Sequence, residues 1–518
     1  MTHDNKKVLI FGLDAGEWSL VQNYVAEGRM PNFGRLMTEG AQGTLSTTAA
    51  QLPDTVWSCI YSGQNPAHFS KYFYVQYDAK NGDLRHVKDA EFTKRPFWDL
   101  LADGGRRVGV VDAVKIPMSD KPAFMIANWG AHATKAPRAS NPPEILAEAD
   151  RRLGKNPVGD VDRIDDTKKS RTAMRQKLLT GIKMRGELLQ WLGKEQDWDV
   201  MFCGFSEMHQ AGHHYWHGVD PHHPKHAEIV EQGLQNTVPE VYEAIDKVLG
   251  DMIEVAGEDA LILVTAGHGM GPIWHASWNL QEMLDLLGYG RNPARKLEGE
   301  AREPTPPSFW RKLKMMLPGN LQYGIKAMLP EKMQDELLFK WYAGTRDWKG
   351  WRAHAIPNND SCGAIRIALN GRDPHGIVDR DEYDAILDDL QQAFEELTDP
   401  VSGKKVVHST TRLRDVFDGP YADEKPDLVI CWEQSFPWHA IHSPRFGTIG
   451  IEVADSRTGS HTPRGFFLAK GPGIAPGSVF EGHSIYDLTP TILEAAGVEA
   501  PSDLDGRPIP LRSAQVQA

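Results

Sequence analysis

Four short stretches of this sequence carry side chains able to hold a cation or attack an electrophile, and most follow an apolar run. In Phe11-Gly-Leu-Asp14-Ala-Gly16 a carboxylate comes directly after such a run, where it either forms an Asx-type turn or binds a hard cation. In Leu52-Pro-Asp-Thr55-Val-Trp57, Thr55 stands where a helix would begin. It is a helix cap, or it presents its hydroxyl where free N–H groups and the helix dipole favour an anion. A metal ion could make that hydroxyl a nucleophile toward a phosphoryl or sulfuryl centre. Glu207, His209 and His213 follow the run Val200–Phe205, with seven histidines between His209 and His226. A single histidine is more often structural, but His209 and His213, four apart, would share one helix face, and the group favours metal. The fourth stretch pairs Thr265-Ala-Gly-His268-Gly with Gly459-Ser-His461. Glycines beside a histidine let the backbone approach a ligand closely, although each histidine alone reads equally well as part of a turn. Carboxylates and imidazoles without thiolates suit zinc, manganese or iron. This many donors exceeds one tetrahedral site and suffices for two ions ~3.5–4 Å apart, clamping the attacking and leaving oxygens of an in-line displacement.

The elements that must position these residues are legible as short β-type runs alternating with helical patterns. Strands are expected at 7–13, 107–112, 200–205, 260–265, 364–369, 427–431 and 465–469. Helices are expected to end near Gly28, to run from Pro31 to Gly40, and to cover 380–397 and 484–496. Continuous rather than alternating hydrophobicity marks several strands as buried on both faces. The predicted fold is α/β: a doubly wound, mostly parallel central sheet flanked by helices, with a ligand crevice at the carboxyl ends of its strands. Residues 1–136, 186–291 and 341–518 are expected to form the core. Residues 137–185 read as a helical insertion and 292–340 as a basic and apolar cap. Within the latter, 304–330 interleaves Lys and Arg with apolar residues, so a weak membrane-surface contact is the alternative to a plain cap.

Composition narrows the function. The chain has 518 residues, 41% apolar and 25% charged, which is an ordinary globular mix. With Lys plus Arg at 57 and Asp plus Glu at 70, the formal charge of −13 suits no nucleic-acid duplex as partner. No apolar run approaches the ~20 residues of a membrane span, and none near the start suits a secretory signal. Four scattered cysteines without a CxxC pair fit a reducing, cytoplasmic setting. Oligomeric state is not legible.

An ordered set of motifs then resembles the alkaline phosphatase superfamily, in its type I phosphodiesterase/nucleotide pyrophosphatase branch. The set runs from Val8-Leu-Ile-Phe-Gly-Leu-Asp14 and Gly28-Arg-Met-Pro-Asn through Pro53…Thr55-Val-Trp57…Gly63, His268-Gly269 and Asn370-Gly-Arg372 to Gly459-Ser-His461 and Asp487-Leu-Thr-Pro. The resemblance implies two divalent ions, zinc in first place. One would be held by Asp14, Thr55 and His268, the other by His213, His461 and either Glu207 or His209. It also implies Thr55 as nucleophile and a phosphothreonine intermediate. Two departures stand out. Gly267 occupies the place of the family's acidic residue before His268, and Pro53 occupies the usual nucleophile position, leaving Asp54 or Thr55 to act, with Thr55 preferred as the hydroxyl. Lys71, Tyr72 and Tyr74 stand where the family has His-Gly-Ile and are expected to contact substrate. The expected activity is metal-dependent hydrolysis of small phosphate esters, in particular phosphodiesters. The alternatives are a phosphotransferase, phosphomonoesterase or sulfatase of the same superfamily, and a binding protein that kept the fold and lost turnover.

Overall fold

A computed structural model describes residues 7–131, 137–158, 164, 166–290, 333, 336, 339, 348–451 and 457–512. The expected cap at 292–340, and with it the membrane-surface contact at 304–330, lies outside the described residues apart from three positions.

The central element is a nine-stranded sheet. Its order is Ser478–Ser484, Ala41–Ser46, Gly465–Lys470, Leu261–Ala266, Val8–Leu13, Val200–Phe205, Val108–Val111, Phe124–Ala127 and Ala139–Asn141. Val8–Leu13 pairs in parallel with both Val200–Phe205 and Leu261–Ala266. Gly465–Lys470 runs antiparallel between its neighbours, as does Ala139–Asn141 at the edge. The three central strands are wholly buried. Each is an unbroken apolar run because each face carries its own core. On one side the helices Lys168–Glu195 and Thr237–Ala256 pack over Leu9, Phe11, Met201 and Val264. On the other, Val56–Ser62, Phe97–Asp103 and Leu488–Ala495 cover Val8, Ile10, Phe202 and Leu263. Residues that follow these strands therefore emerge together at one edge of the sheet.

Two expectations change. The strands Cys362–Ile367 and Leu428–Trp432 are not in the central sheet but in a separate four-stranded antiparallel sheet with Ala353–Ile356 and Val407–Arg412. They too are buried on both faces, Ile365 and Ile430 under the helix Tyr383–Glu395 and Ala364 and Val429 against Tyr72, Tyr77 and Trp351. Continuous hydrophobicity reports two covered faces, not which sheet a strand joins. The stretch 341–518 thus divides between the central sheet and this second unit. Similarly, 137–185 contributes the edge strand Ala139–Asn141 and the helix Pro143–Leu153, and its last helix runs on to Glu195 as part of the layer over the sheet. Residue 185 is no boundary. No described helix is long and apolar enough to cross a membrane.

Candidate metal centre

Asp14 leaves the central strand Val8–Leu13, its backbone N–H bonded to the Phe205 carbonyl of the neighbouring strand. The next strand continues into the helix Glu207–Val219, which sets His209 and His213 one turn apart with ring centres 4.5 Å from each other. His268 follows Leu261–Ala266. The chain then enters a two-stranded antiparallel ribbon, Gly269–Pro272 against Gly459–Thr462, that places His461 opposite Met270. Five side chains from four distant stretches converge in this way.

They form two overlapping groups. The ligand atoms of His209, His213 and His461 lie within 4.8 Å of one another, as do those of Asp14, His209 and His268. The His461 ring centre is 4.9 Å from His209, 5.1 Å from His213 and 4.5 Å from His268. Asp14 Oδ2 is 3.2 Å from His209 Nδ1, and its Oδ1 lies 3.6 Å from His268 Nε2 while accepting the Trp57 indole N–H at 2.9 Å. All five residues are buried. The His213 Nδ1 sits 2.7 Å from the Gly459 carbonyl, which makes it the protonated nitrogen and leaves the Nε2 lone pair for a ligand. Burial pushes His213 and His461 well below the usual imidazole range and His268 down to about 4. Neutral imidazoles are what a metal requires. Both ring nitrogens of His268 and of His461 are buried without a hydrogen-bond partner. Buried polar atoms are normally satisfied, so this donor set fits a divalent ion.

Glu207 does not join them. It is fully buried, and its Oε1 accepts from Arg185 Nη2 at 2.9 Å and Nε at 3.2 Å. The same guanidinium bonds Asp112, whose carboxylate also takes the backbone N–H groups of Trp129 and Gly130. Glu207 therefore clamps the first turn of the histidine helix and belongs to neither ligand group, whereas His209 belongs to both.

Thr55 ends the 3-10 turn Pro53–Thr55 and precedes the helix Val56–Ser62. It makes no side-chain cap. The 3-10 turn already bonds the Val56 N–H to the Pro53 carbonyl, so the hydroxyl instead donates to Leu52 O at 2.7 Å and lies 3.0 Å from Thr48 Oγ1. Asp54, one residue earlier, points its Oδ1 to within 3.2 Å of Lys115 Nζ. Lys115 was not singled out by the sequence, yet it too follows a sheet strand, Val108–Val111, and has a left-handed φ of 57°. Burial alone would lower its pKa, but Asp54, then Asp14 and Asp89, hold it above the ordinary lysine value. Of the expected substrate contacts, Tyr72 is wholly buried, with its hydroxyl taking the Tyr77 N–H at 3.0 Å. It is a core residue. Lys71 is buried and paired with Asp89 at 2.6 Å, and Tyr74 alone is exposed.

Gly267 explains its own departure. A Cβ there would stand 2.3 Å from Val56 Cγ1 and 2.7 Å from Ile60 Cδ1, so a side chain would force these neighbours to shift.

A sequence model of the type I phosphodiesterase / nucleotide pyrophosphatase family matches residues 8–457. No curated protein matches the chain. Among solved structures, phosphonoacetate hydrolase from Sinorhizobium meliloti 1021, in complex with phosphonoacetate, is similar at 16% identity over 96% of both chains, with a TM-score of 0.51. Murine ectonucleotide pyrophosphatase / phosphodiesterase 5 is similar at 12% identity over 96% of both chains, with a TM-score of 0.47. Likeness at such identity concerns the fold alone.

Proposed function

Since this chain belongs to the type I phosphodiesterase / nucleotide pyrophosphatase family, a family of phosphoester hydrolases, we propose that it hydrolyses small phosphate esters, in particular phosphodiesters, at a metal centre made by Asp14, His209, His213, His268 and His461. The observation that carries this is the convergence of four buried imidazoles and one carboxylate, with the His268 and His461 nitrogens unsatisfied. A divalent ion bound there, zinc before manganese or iron for so many imidazoles, would polarise a phosphoryl oxygen and lower the pKa of an attacking group. Trp57 and His209 hold the Asp14 carboxylate, and Gly459 fixes the His213 tautomer. That phosphonoacetate hydrolase is seen with phosphonoacetate supports a small anionic substrate. Four buried, unbridged cysteines support the reducing, cytoplasmic setting.

The nucleophile comes from the Pro53–Thr55 turn. Thr55 supplies the hydroxyl, and turning it toward the centre gives up its bond to Leu52, a cost of about 1 kcal/mol. A carboxylate nucleophile from Asp54 is the second reading, favoured by its position beside Lys115 and by its influence on His268. Zinc-loaded protein should cleave bis(p-nitrophenyl) phosphate and lose that activity to a chelator. Persistence of full activity after metal removal overturns the proposal. Acid-quenched enzyme then separates the nucleophiles: a phosphoenzyme stable to hydroxylamine and absent in Thr55→Ala identifies Thr55, whereas one cleaved by hydroxylamine and absent in Asp54→Asn identifies Asp54.

A further inference from the structure

The two ligand groups share His209. A neutral imidazole has one lone pair, so His209 can serve one ion and not two. The Asp14 carboxylate stands 3.2 Å from His209 Nδ1, where an outer carboxylate is a usual neighbour of a metal-binding histidine. His209, His213 and His461 then make a three-histidine site, a common ligand number for catalytic zinc. The second place keeps only Asp14 and His268 from its group, and Val56 and Ile60 crowd Gly267, so a side chain there could enter only if those neighbours shifted.

At the same edge of the sheet the chain supplies a cation of its own. Lys115 leaves the carboxyl end of Val108–Val111, two strands from Asp14 in the sheet, and its ammonium is 3.2 Å from Asp54. Its charge acts on His268 and His461, and the charge of Asp14 acts on it. The Lys115 side chain is 22% exposed and that of Asp54 only 5%, so the pair is fixed from within while the ammonium stays within reach of a ligand. Its φ of 57° is a left-handed conformation that persists only where surrounding structure imposes it.

Resting on the metal-centre reading above, we propose that this centre takes one metal ion, on His209, His213 and His461, and that the Lys115 ammonium, held by Asp54, is the second cation facing the phosphoryl group. A lysine is a compact point charge with three N–H donors and suits non-bridging phosphoryl oxygens. It brings one unit of charge where a metal would bring two.

Purified protein incubated with excess zinc and desalted should carry one zinc per chain by elemental analysis. Two per chain overturns the inference and leaves the metal-centre reading standing, whereas none overturns both. Inorganic phosphate binding to the zinc-loaded protein should weaken at least tenfold in Lys115→Met, with one zinc retained, and Lys115→Arg should restore most of it. Phosphate affinity unchanged in Lys115→Met overturns the assignment. Should Lys115→Met fail to fold, the wild-type zinc count and the Lys115→Arg titration still decide. A second zinc, or loss of phosphate binding in the arginine variant, counts against it.

Discussion

Replacing Gly267 by alanine isolates the steric reason for the missing carboxylate. The added methyl would sit 2.3 Å from Val56 Cγ1 and 2.7 Å from Ile60 Cδ1, both wholly buried on the helix that follows Thr55. Overpacking of this kind costs about 1–3 kcal/mol. The loss of backbone freedom in the unfolded chain returns about 0.4–1 kcal/mol. The net expectation is a destabilisation of roughly 1–2 kcal/mol, read as a lower urea midpoint at unchanged slope in metal-free protein. Val56→Ala removes the nearer obstacle, so adding Gly267→Ala in that background should cost less, with a coupling of about 1 kcal/mol in the double-mutant cycle. Gly267→Asp should be worse than Gly267→Ala, because it adds a buried charge without a partner, and should gain no second zinc. A Gly267→Ala protein as stable as wild type, or a cycle without coupling, refutes the packing argument. A second zinc in Gly267→Asp would show that these neighbours do shift to admit a carboxylate.

His213→Ala and His461→Ala should each lose bound zinc in elemental analysis while retaining the wild-type far-ultraviolet spectrum. Arg185→Met leaves Asp112 and Glu207 as buried carboxylates without their shared cation, so urea denaturation should show a loss of about 3–5 kcal/mol, and a change below 1 kcal/mol would sink the clamp. His354, wholly enclosed against Trp348 and Tyr77, is pushed down by burial to about 3 from an ordinary 6.5. A group depressed in the folded state contributes stability above its unfolded pKa and loses it as pH falls toward the folded value. Between pH 8 and pH 5 wild type should lose about 2 kcal/mol more than His354→Phe, and equal losses in the two proteins would refute that environment.

What the sequence disclosed follows from the rule that ligands gather where parallel strands end. Asp14, His209 and His268 each come just after an apolar run, and the structure brings them to one edge. His461 was legible only from its glycine neighbours, since its place depends on a ribbon closed with Met270. The same rule applied to Val108–Val111 would have pointed to Lys115, but a lysine does not stand out in a search for metal donors. The ion pair of Glu207 was not legible, because its partner Arg185 comes from the previous helix and Asp112 follows another strand. Such long-range ion pairs leave no periodic trace. The second sheet was hidden for a related reason: Cys362–Ile367 and Leu428–Trp432 carry the same apolar signature as the central strands, and only their pairing partners distinguish them.

The ribbon that carries His461 has a consequence for how the protein matures. A metal ion held by His209, His213 and His461 would staple together stretches separated by nearly half the polypeptide. For a loop of a few hundred residues such closure restricts the unfolded chain by about 5 kcal/mol. Such an ion would act as a removable crosslink as well as a reagent. It cannot be captured in full until the C-terminal ribbon has been synthesised, so a nascent chain remains untied to the end of translation, and a chelated one should return to the protease susceptibility of an uncrosslinked protein.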